Sequence, residues 1–269
     1  MKYKLVASDF DDTLLPPSML ISSRTIETIK RFTAKGGKFV LCTGRMHSSI
    51  MKEAQIMGLK GEIISYQGAL TKDIESGKIL NITEIPQDLA VEYVKYMQSL
   101  HVVIQLYVGD RLCIEKENRF TASYVLLCKV TAEPVGDLVK FLLANVEPVF
   151  KILCYTKPEQ CAEIRKQVKS KFGDRLLINS SKPWNVEAVS IKTSKGDALR
   201  KLCEKYGIDR REVLACGDNL NDLEMINYAG FGVAVGNAVE ELKKNADYVT
   251  ASCDEDGVAQ AIEKFCLDE

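Results

Sequence analysis

The chain is short of the residues from which many enzymes build their chemistry. Its 269 residues include two histidines, His47 and His101, and one tryptophan, Trp184. Neither histidine belongs to a Ser/His/Asp arrangement or stands at zinc-ligand spacing, which argues against triad hydrolysis and a histidine metal centre. Nine cysteines, at positions 42, 113, 128, 154, 161, 203, 216, 253 and 266, contain no Cys-x-x-Cys pair. That is neither a zinc pattern nor a compact disulfide framework. Most of them lie in apolar runs such as Phe39-Val40-Leu41-Cys42, as buried reduced thiols do in a reducing compartment. A dominant charge is also missing: 36 basic and 37 acidic residues leave a net charge of -1. Nothing therefore draws the chain generally toward nucleic acid or an anionic membrane. The basic stretch Arg165, Lys166, Lys169, Lys171 reads as the solvated face of an amphipathic helix. No apolar run approaches a membrane span, and the run Leu5-Val6-Ala7 is broken by Asp9 well short of a secretory signal's core. A cytosolic protein with no nucleic-acid and no membrane partner is expected, and the sequence carries no signal of oligomeric state.

What is present is a well-formed alternation. A hydrophobic content of 46% suits a globular chain with a substantial core, in one large domain or two ordinary ones. From Lys4 to Ala69 the segments alternate between strand and helix. Strands are predicted after Lys4, over Phe39 to Cys42 and over Glu62 to Ser65. Between them, one helix carries Ile26, Ile29 and Phe32, and another carries Ile50, Ala54 and Met57, with His47 on its flank. This is βαβαβ, so a right-handed parallel sheet is expected. The pattern resumes near Lys195 with a helix to Tyr206, a strand over Val213 to Cys216, a helix carrying Leu220, Leu223 and Ile226, and a strand over Phe231 to Val235. Asn237 is a plausible cap for the helix through Leu242, followed by a strand near Asp247 to Thr250 and a last helix to Phe265. Residues 83 to 187 break this alternation with helices mixed among alternating or aromatic strand-like runs. The expected fold is α/β, a Rossmann-like parallel-sheet core formed by residues 1–82 and 188–269, with an inserted α+β cap domain over 83–187.

Four clusters carry the chemistry. Asp9-Phe10-Asp11-Asp12-Thr13 follows an apolar strand, and in an open α/β sheet the C-terminal strand ends form the ligand crevice. Clustered carboxylates repel one another, and a divalent cation makes them tolerable. A lone Asp-x-Asp is usually an acidic surface turn, but three further pieces stand downstream. Thr43-Gly44-Arg45 ends the second strand with a hydroxyl and backbone N–H groups at a helix start, an anion-binding arrangement. Lys195 opens a helix, where a cation is slightly unfavourable unless an anion shares the position. Gly217-Asp218-Asn219-Leu220-Asn221-Asp222 follows the strand ending at Cys216, with more polar groups than one helix cap needs, and Asp218 could face Asp9 across the sheet.

In this order the four clusters resemble the motifs of the haloacid dehalogenase-like hydrolase superfamily, specifically its Cof-type sugar phosphatase group, and the long gap between the second and third matches that group's inserted cap. The resemblance implies a phosphoric monoester hydrolase that uses Mg2+. Asp9 would be the nucleophile and form an aspartyl-phosphate. Asp11 would protonate the leaving alcohol and then deprotonate the attacking water. The metal would be held by the Asp9 and Asp218 carboxylates and the backbone carbonyl of Asp11. Thr43, the Phe10 and Gly44 amides, Lys195 and Asn221 would bind phosphoryl oxygens, while Asp222 would orient Lys195 or a metal-bound water. Asp12 reads as loop bracing, and Arg45 as either an ion pair or a reach toward the cap. Two departures from the family pattern are Gln67, where Asn is commoner, and the segment Ile191 to Ser194. Both bear on substrate contacts near the cap hinge rather than on the core chemistry. The implied partner is a small phosphorylated metabolite, a sugar phosphate above all. A hexose phosphomutase on the same scaffold is the alternative. A phospho-switch resembling a response-regulator receiver is disfavoured by the inserted cap and by an Asp two residues past the acceptor.

Overall fold

The computed structural model describes residues 1–180 and 182–268 of the chain. In chain order the first elements are β1 (Leu5–Ser8), α1 (Ser23–Ala34), β2 (Lys38–Cys42), α2 (His47–Ile56), β3 (Glu62–Ser65), β4 (Leu70–Asp73) and β5 (Ile79–Ile82). Next come α3 (Gln87–Ser99), β6 (Val103–Val108), β7 (Arg111–Ile114), α4 (Arg119–Cys128), β8 (Ala132–Pro134), α5 (Leu138–Ala144), β9 (Val149–Tyr155), α6 (Pro158–Phe172), β10 (Leu176–Asn179) and β11 (Asn185–Ser190). The chain ends with α7 (Lys195–Tyr206), β12 (Val213–Gly217), α8 (Leu223–Tyr228), β13 (Phe231–Ala234), α9 (Glu240–Asn245), β14 (Tyr248–Val249) and α10 (Gly257–Ile262).

The chain divides into two compact units: Met1–Gly44, Ile50–Asn81 and Ser194–Glu269 form the first, Arg45–Ser49 and Ile82–Thr193 the second. The first contains an eight-stranded sheet in the order β14-β13-β12-β1-β2-β3-β4-β5. Pairing is parallel from β14 through β3 and antiparallel between β3 and β4. The strands β1, β2, β3 and β12 are almost wholly buried, which is why they read as continuous apolar runs rather than alternating ones. Helix α1 shows the complementary pattern. Ser22 caps it by accepting from the Thr25 N–H at 3.0 Å, and Ile29 and Phe32 turn into the core while charged residues stay outside.

The second unit holds a six-stranded sheet in the order β10-β11-β9-β6-β7-β8. Ile104, Leu106, Ile152, Cys154, Val186 and Ala188 join Tyr93, Met97 and Phe172 from α3 and α6 in a separate apolar core. Between the core residues of β6 stand Gln105 and Tyr107, both buried, with Gln105 Nε2 donating to Thr121 of α4 at 3.0 Å. Lys151 and Glu187, also buried, lie 3.5 Å apart.

Two expectations need correction. The return from the inserted segment falls after Thr193, not after residue 187, because β11 pairs with β9 and β10 along its length. Asn237 caps no helix: its Nδ2 donates to the Asp12 carbonyl at 2.7 Å, its Oδ1 accepts from the Cys253 N–H at 2.8 Å, and α9 begins only at Glu240. His47 opens α2 and is buried instead of lying on an open flank.

Candidate active site

Three of the four clusters sit at the C-terminal ends of adjacent parallel strands. Asp9 follows β1, Thr43 follows β2 and Asp218 follows β12, with β1 in the middle. The Asp9 N–H still extends the ladder, donating to the Cys216 carbonyl at 3.0 Å. Residues nearly two hundred positions apart are thus brought together by strand register alone. Asp9, Asp218 and Asp222 each offer a carboxylate oxygen, all within 4.8 Å of one another.

Lys195 ties the cluster together. Its ammonium group is buried and donates to Asp9 Oδ1 at 2.7 Å and Asp222 Oδ1 at 2.6 Å. Two carboxylates therefore supply the anionic partner that a lysine opening a helix requires, while Ser194 caps α7 by accepting from the Asp197 N–H at 3.2 Å. The second Asp222 oxygen accepts from the backbone N–H groups of Asp218 and Asn219, at 3.1 and 3.2 Å. Asp222 is fully buried with both oxygens engaged, so it braces Lys195 and the loop after β12.

The electrostatics follow from burial. The Asp9 carboxyl is held well above the usual carboxylate range by desolvation and by the Asp222 and Asp218 charges, against the pull of Lys195. Burial, aided by Asp222, pushes Asp218 up to about 6. Burial works against the Lys195 ammonium, but Asp222 and Asp9 outweigh it and raise its pKa above the ordinary lysine value. Three acids and one lysine leave an excess of negative charge in a dry place, and a hard cation with oxygen ligands suits that excess. The donor set therefore fits Mg2+, with Asp9 and Asp218 the carboxylates best placed to hold it.

Asp11 lies outside this carboxylate cluster and is only partly buried, so its side chain is accessible beside Asp9. Phe10 and Thr43 are fully buried. The Phe10 carbonyl accepts from the N–H groups of Leu14 and Leu15 at 3.0 and 2.7 Å, which rolls the loop after β1 into a tight turn. Asp12 occupies the left-handed region at φ 58, and Asn237 holds its carbonyl, so it braces the loop as expected. Asn221 is exposed on the short turn after β12, and its Nδ2 donates to Gln67 Oε1 at 3.1 Å. Gln67, expected to bear only on substrate contacts, thus touches a residue of the fourth cluster. Sequence reasoning also assigned nothing to Thr13. Its hydroxyl donates to Asp218 Oδ1 at 2.8 Å and is buried with it. A threonine four residues past Asp9 carries no signal of that bond until β1 and β12 are known to be neighbours. Tyr66 is fully buried and offers no direct contact surface.

A parallel α/β sheet with acids, a hydroxyl and a lysine gathered at its strand ends defines a phosphoryl-transfer hydrolase. Residues 6–262 match the family of haloacid dehalogenase-like hydrolases, and the chain belongs to that family as a phosphatase. A haloacid dehalogenase-like hydrolase from Bacteroides thetaiotaomicron shares 33% identity and a TM-score of 0.89, over 98% of this chain and 99% of that one. The HAD subclass IIB sugar phosphatase BT4131 shares 25% identity and a TM-score of 0.85, over 98% and 100%. The 5-amino-6-(5-phospho-D-ribitylamino)uracil phosphatase YitU of Bacillus subtilis is 30% identical, over 97% of each chain. Among the described residues no helix is long and apolar enough to cross a membrane.

Proposed function

We propose that the protein is a cytoplasmic, Mg2+-dependent phosphatase of small phosphorylated metabolites, sugar phosphates above all, working through an aspartyl-phosphate on Asp9. The observation that carries this reading is the buried Asp9–Lys195–Asp222 chain beside Asp218 at the ends of β1 and β12. The substrate class is supported by the sugar phosphatase BT4131 and by YitU, whose named substrate is a phosphorylated polyol. The cytoplasmic location is supported by nine buried cysteines, all unpaired.

Phosphate monoesters resist hydrolysis because their oxygens repel an incoming anion, so neutralising charge and aligning the nucleophile is most of the work. Lys195 fixes one Asp9 oxygen and leaves the other to attack phosphorus. As the new O–P bond forms, the bond to the substrate alcohol breaks, and the Asp11 carboxyl gives that alcohol its proton. The Asp11 carboxylate then takes a proton from water, whose oxygen attacks the aspartyl-phosphate and releases inorganic phosphate and free Asp9. Thr43, the Phe10 and Gly44 amides, Lys195 and Asn221 bind the phosphoryl oxygens. Mg2+ bound by Asp9, Asp218 and the Asp11 carbonyl supplies further neutralisation of that charge. Asp222 keeps Lys195 aimed and Thr13 keeps Asp218 turned toward Asp9.

The test is a screen of phosphorylated metabolites and p-nitrophenyl phosphate, with and without Mg2+. Turnover is expected only with the cation. Asp9→Asn should lower it at least about a thousandfold with an unchanged circular dichroism spectrum. Normal turnover in that variant would remove the nucleophile assignment.

A further inference from the structure

The loop after β3 carries a local distortion that phosphate hydrolysis as described does not use. Tyr66 and Gln67 both adopt left-handed backbone, at φ 51 and 61, and neither is a residue type that favours it. Consecutive distortions of this kind persist only where the surroundings over-determine them, and they concentrate at functional positions. Here the surroundings are the clusters themselves. The Gln67 N–H donates to the Thr43 carbonyl at 2.9 Å. Gly68, at φ 104, backs onto the entry to α7, where a Cβ would lie 2.2 Å from the Ser194 carbonyl oxygen. A Cβ on Gly44 would lie 2.5 Å from Gln67 Nε2, so the Gln67 amide rests directly over Gly44. The same amide accepts from Asn221 at 3.1 Å, the one hydrogen bond the Asn221 side chain makes among the described residues.

The structure assigns Gln67 as a positioning residue of the phosphoryl pocket: its carboxamide fixes the rotamer of Asn221 and closes the approach over Gly44. This rests on the phosphatase reading above, in which Gly44 and Asn221 bind the phosphoryl oxygens. Asn221 is exposed, on a three-residue turn, and without Gln67 it has no partner to select one side-chain direction. Length decides the choice at position 67. Asn tolerates left-handed backbone better than Gln does, but its carboxamide stands one methylene shorter and falls back from Asn221.

The opposition of these two effects makes the test specific. Gln67→Asn should unfold at the same temperature as the wild type or higher, yet lose about tenfold in kcat/KM, the size expected for one hydrogen bond. The Ki of inorganic phosphate as a competitive inhibitor should weaken by a similar factor. Asn221→Ala should lose more, and the double variant Gln67→Asn/Asn221→Ala should match Asn221→Ala within about twofold, because Gln67 acts through Asn221. Losses that multiply in the double variant, or a Gln67→Asn enzyme within twofold of wild type, would overturn the assignment. Absence of wild-type turnover would instead strike the phosphatase reading. Gln67→Ala checks that the loss follows the missing amide and not a new contact of Asn.

Discussion

Asp222 illustrates how much one buried side chain can be asked to do. One oxygen accepts from Lys195 and the other from two backbone N–H groups, so all its partners are donors. Only a carboxylate meets that demand at both ends. An asparagine in either orientation would place its NH2 against donors, either at Lys195 or at the Asp218 and Asn219 amides. Removing the acid also leaves the Lys195 ammonium buried with Asp9 as its remaining partner. Asp222→Ala should therefore cost about 3 kcal/mol of stability, and Asp222→Asn should recover less than half of that. Urea unfolding of the three proteins measures it. An Asp222→Asn midpoint equal to wild type would mean that the loop after β12 does not need the second acceptor.

At the scale of elements, site and fold are joined by strand ends and by one turn. Gly68 separates two costs that usually arrive together. Gly68→Ala pays both for left-handed backbone at φ 104 and for overlap with the Ser194 carbonyl, and should lose about 3 kcal/mol. Gly77→Ala, between β4 and β5 at φ 68, meets no atom closer than Lys72 Cε at 3.8 Å, and should lose only about 1 kcal/mol. Thermal or urea unfolding of the pair checks it; equal losses would mean that the turn does not press on the start of α7. The elements legible beforehand were those whose burial leaves a mark on composition. β1, β2, β3 and β12 are apolar throughout, and Asp9, Thr43 and Asp218 could be placed because each stands where an apolar run stops. The polar, half-buried β4 and β5 escaped, because nothing in Thr71-Lys72-Asp73 or Leu80-Asn81 alternates cleanly. The short β10 and β11 escaped too, and with them the true end of the inserted segment. Thr13 and Gln67 were illegible for another reason: their roles depend on which distant strand end lies beside them, and pairing order is a property of the folded sheet.

For the whole molecule, a net charge of -1 predicts little long-range response to pH, so the response should come from the concentrated acid cluster. Without a cation, Asp218 holds its proton up to about pH 6 in the folded chain, against about 4 in an unfolded one. Asp9 shifts in the same direction. The folded state then binds more protons than the unfolded state across this interval, so metal-free stability is full below about pH 4 and falls as pH rises through 6. Mg2+ reverses the trend, because it binds the ionised carboxylates of the folded chain and competes with those protons. At a hundredfold excess over Kd the cation should add about 2.7 kcal/mol near pH 8. Below pH 6 its affinity should weaken about tenfold per unit, and the gain should fall by up to about 1.4 kcal/mol per unit. Calorimetry of the intact chain with Mg2+ or with a chelator, at pH 5 and pH 8, should show a midpoint shift that is small at pH 5 and large at pH 8. Asp218→Asn should flatten that difference. A shift of equal size at both pH values would mean that the cation is held by groups other than these acids.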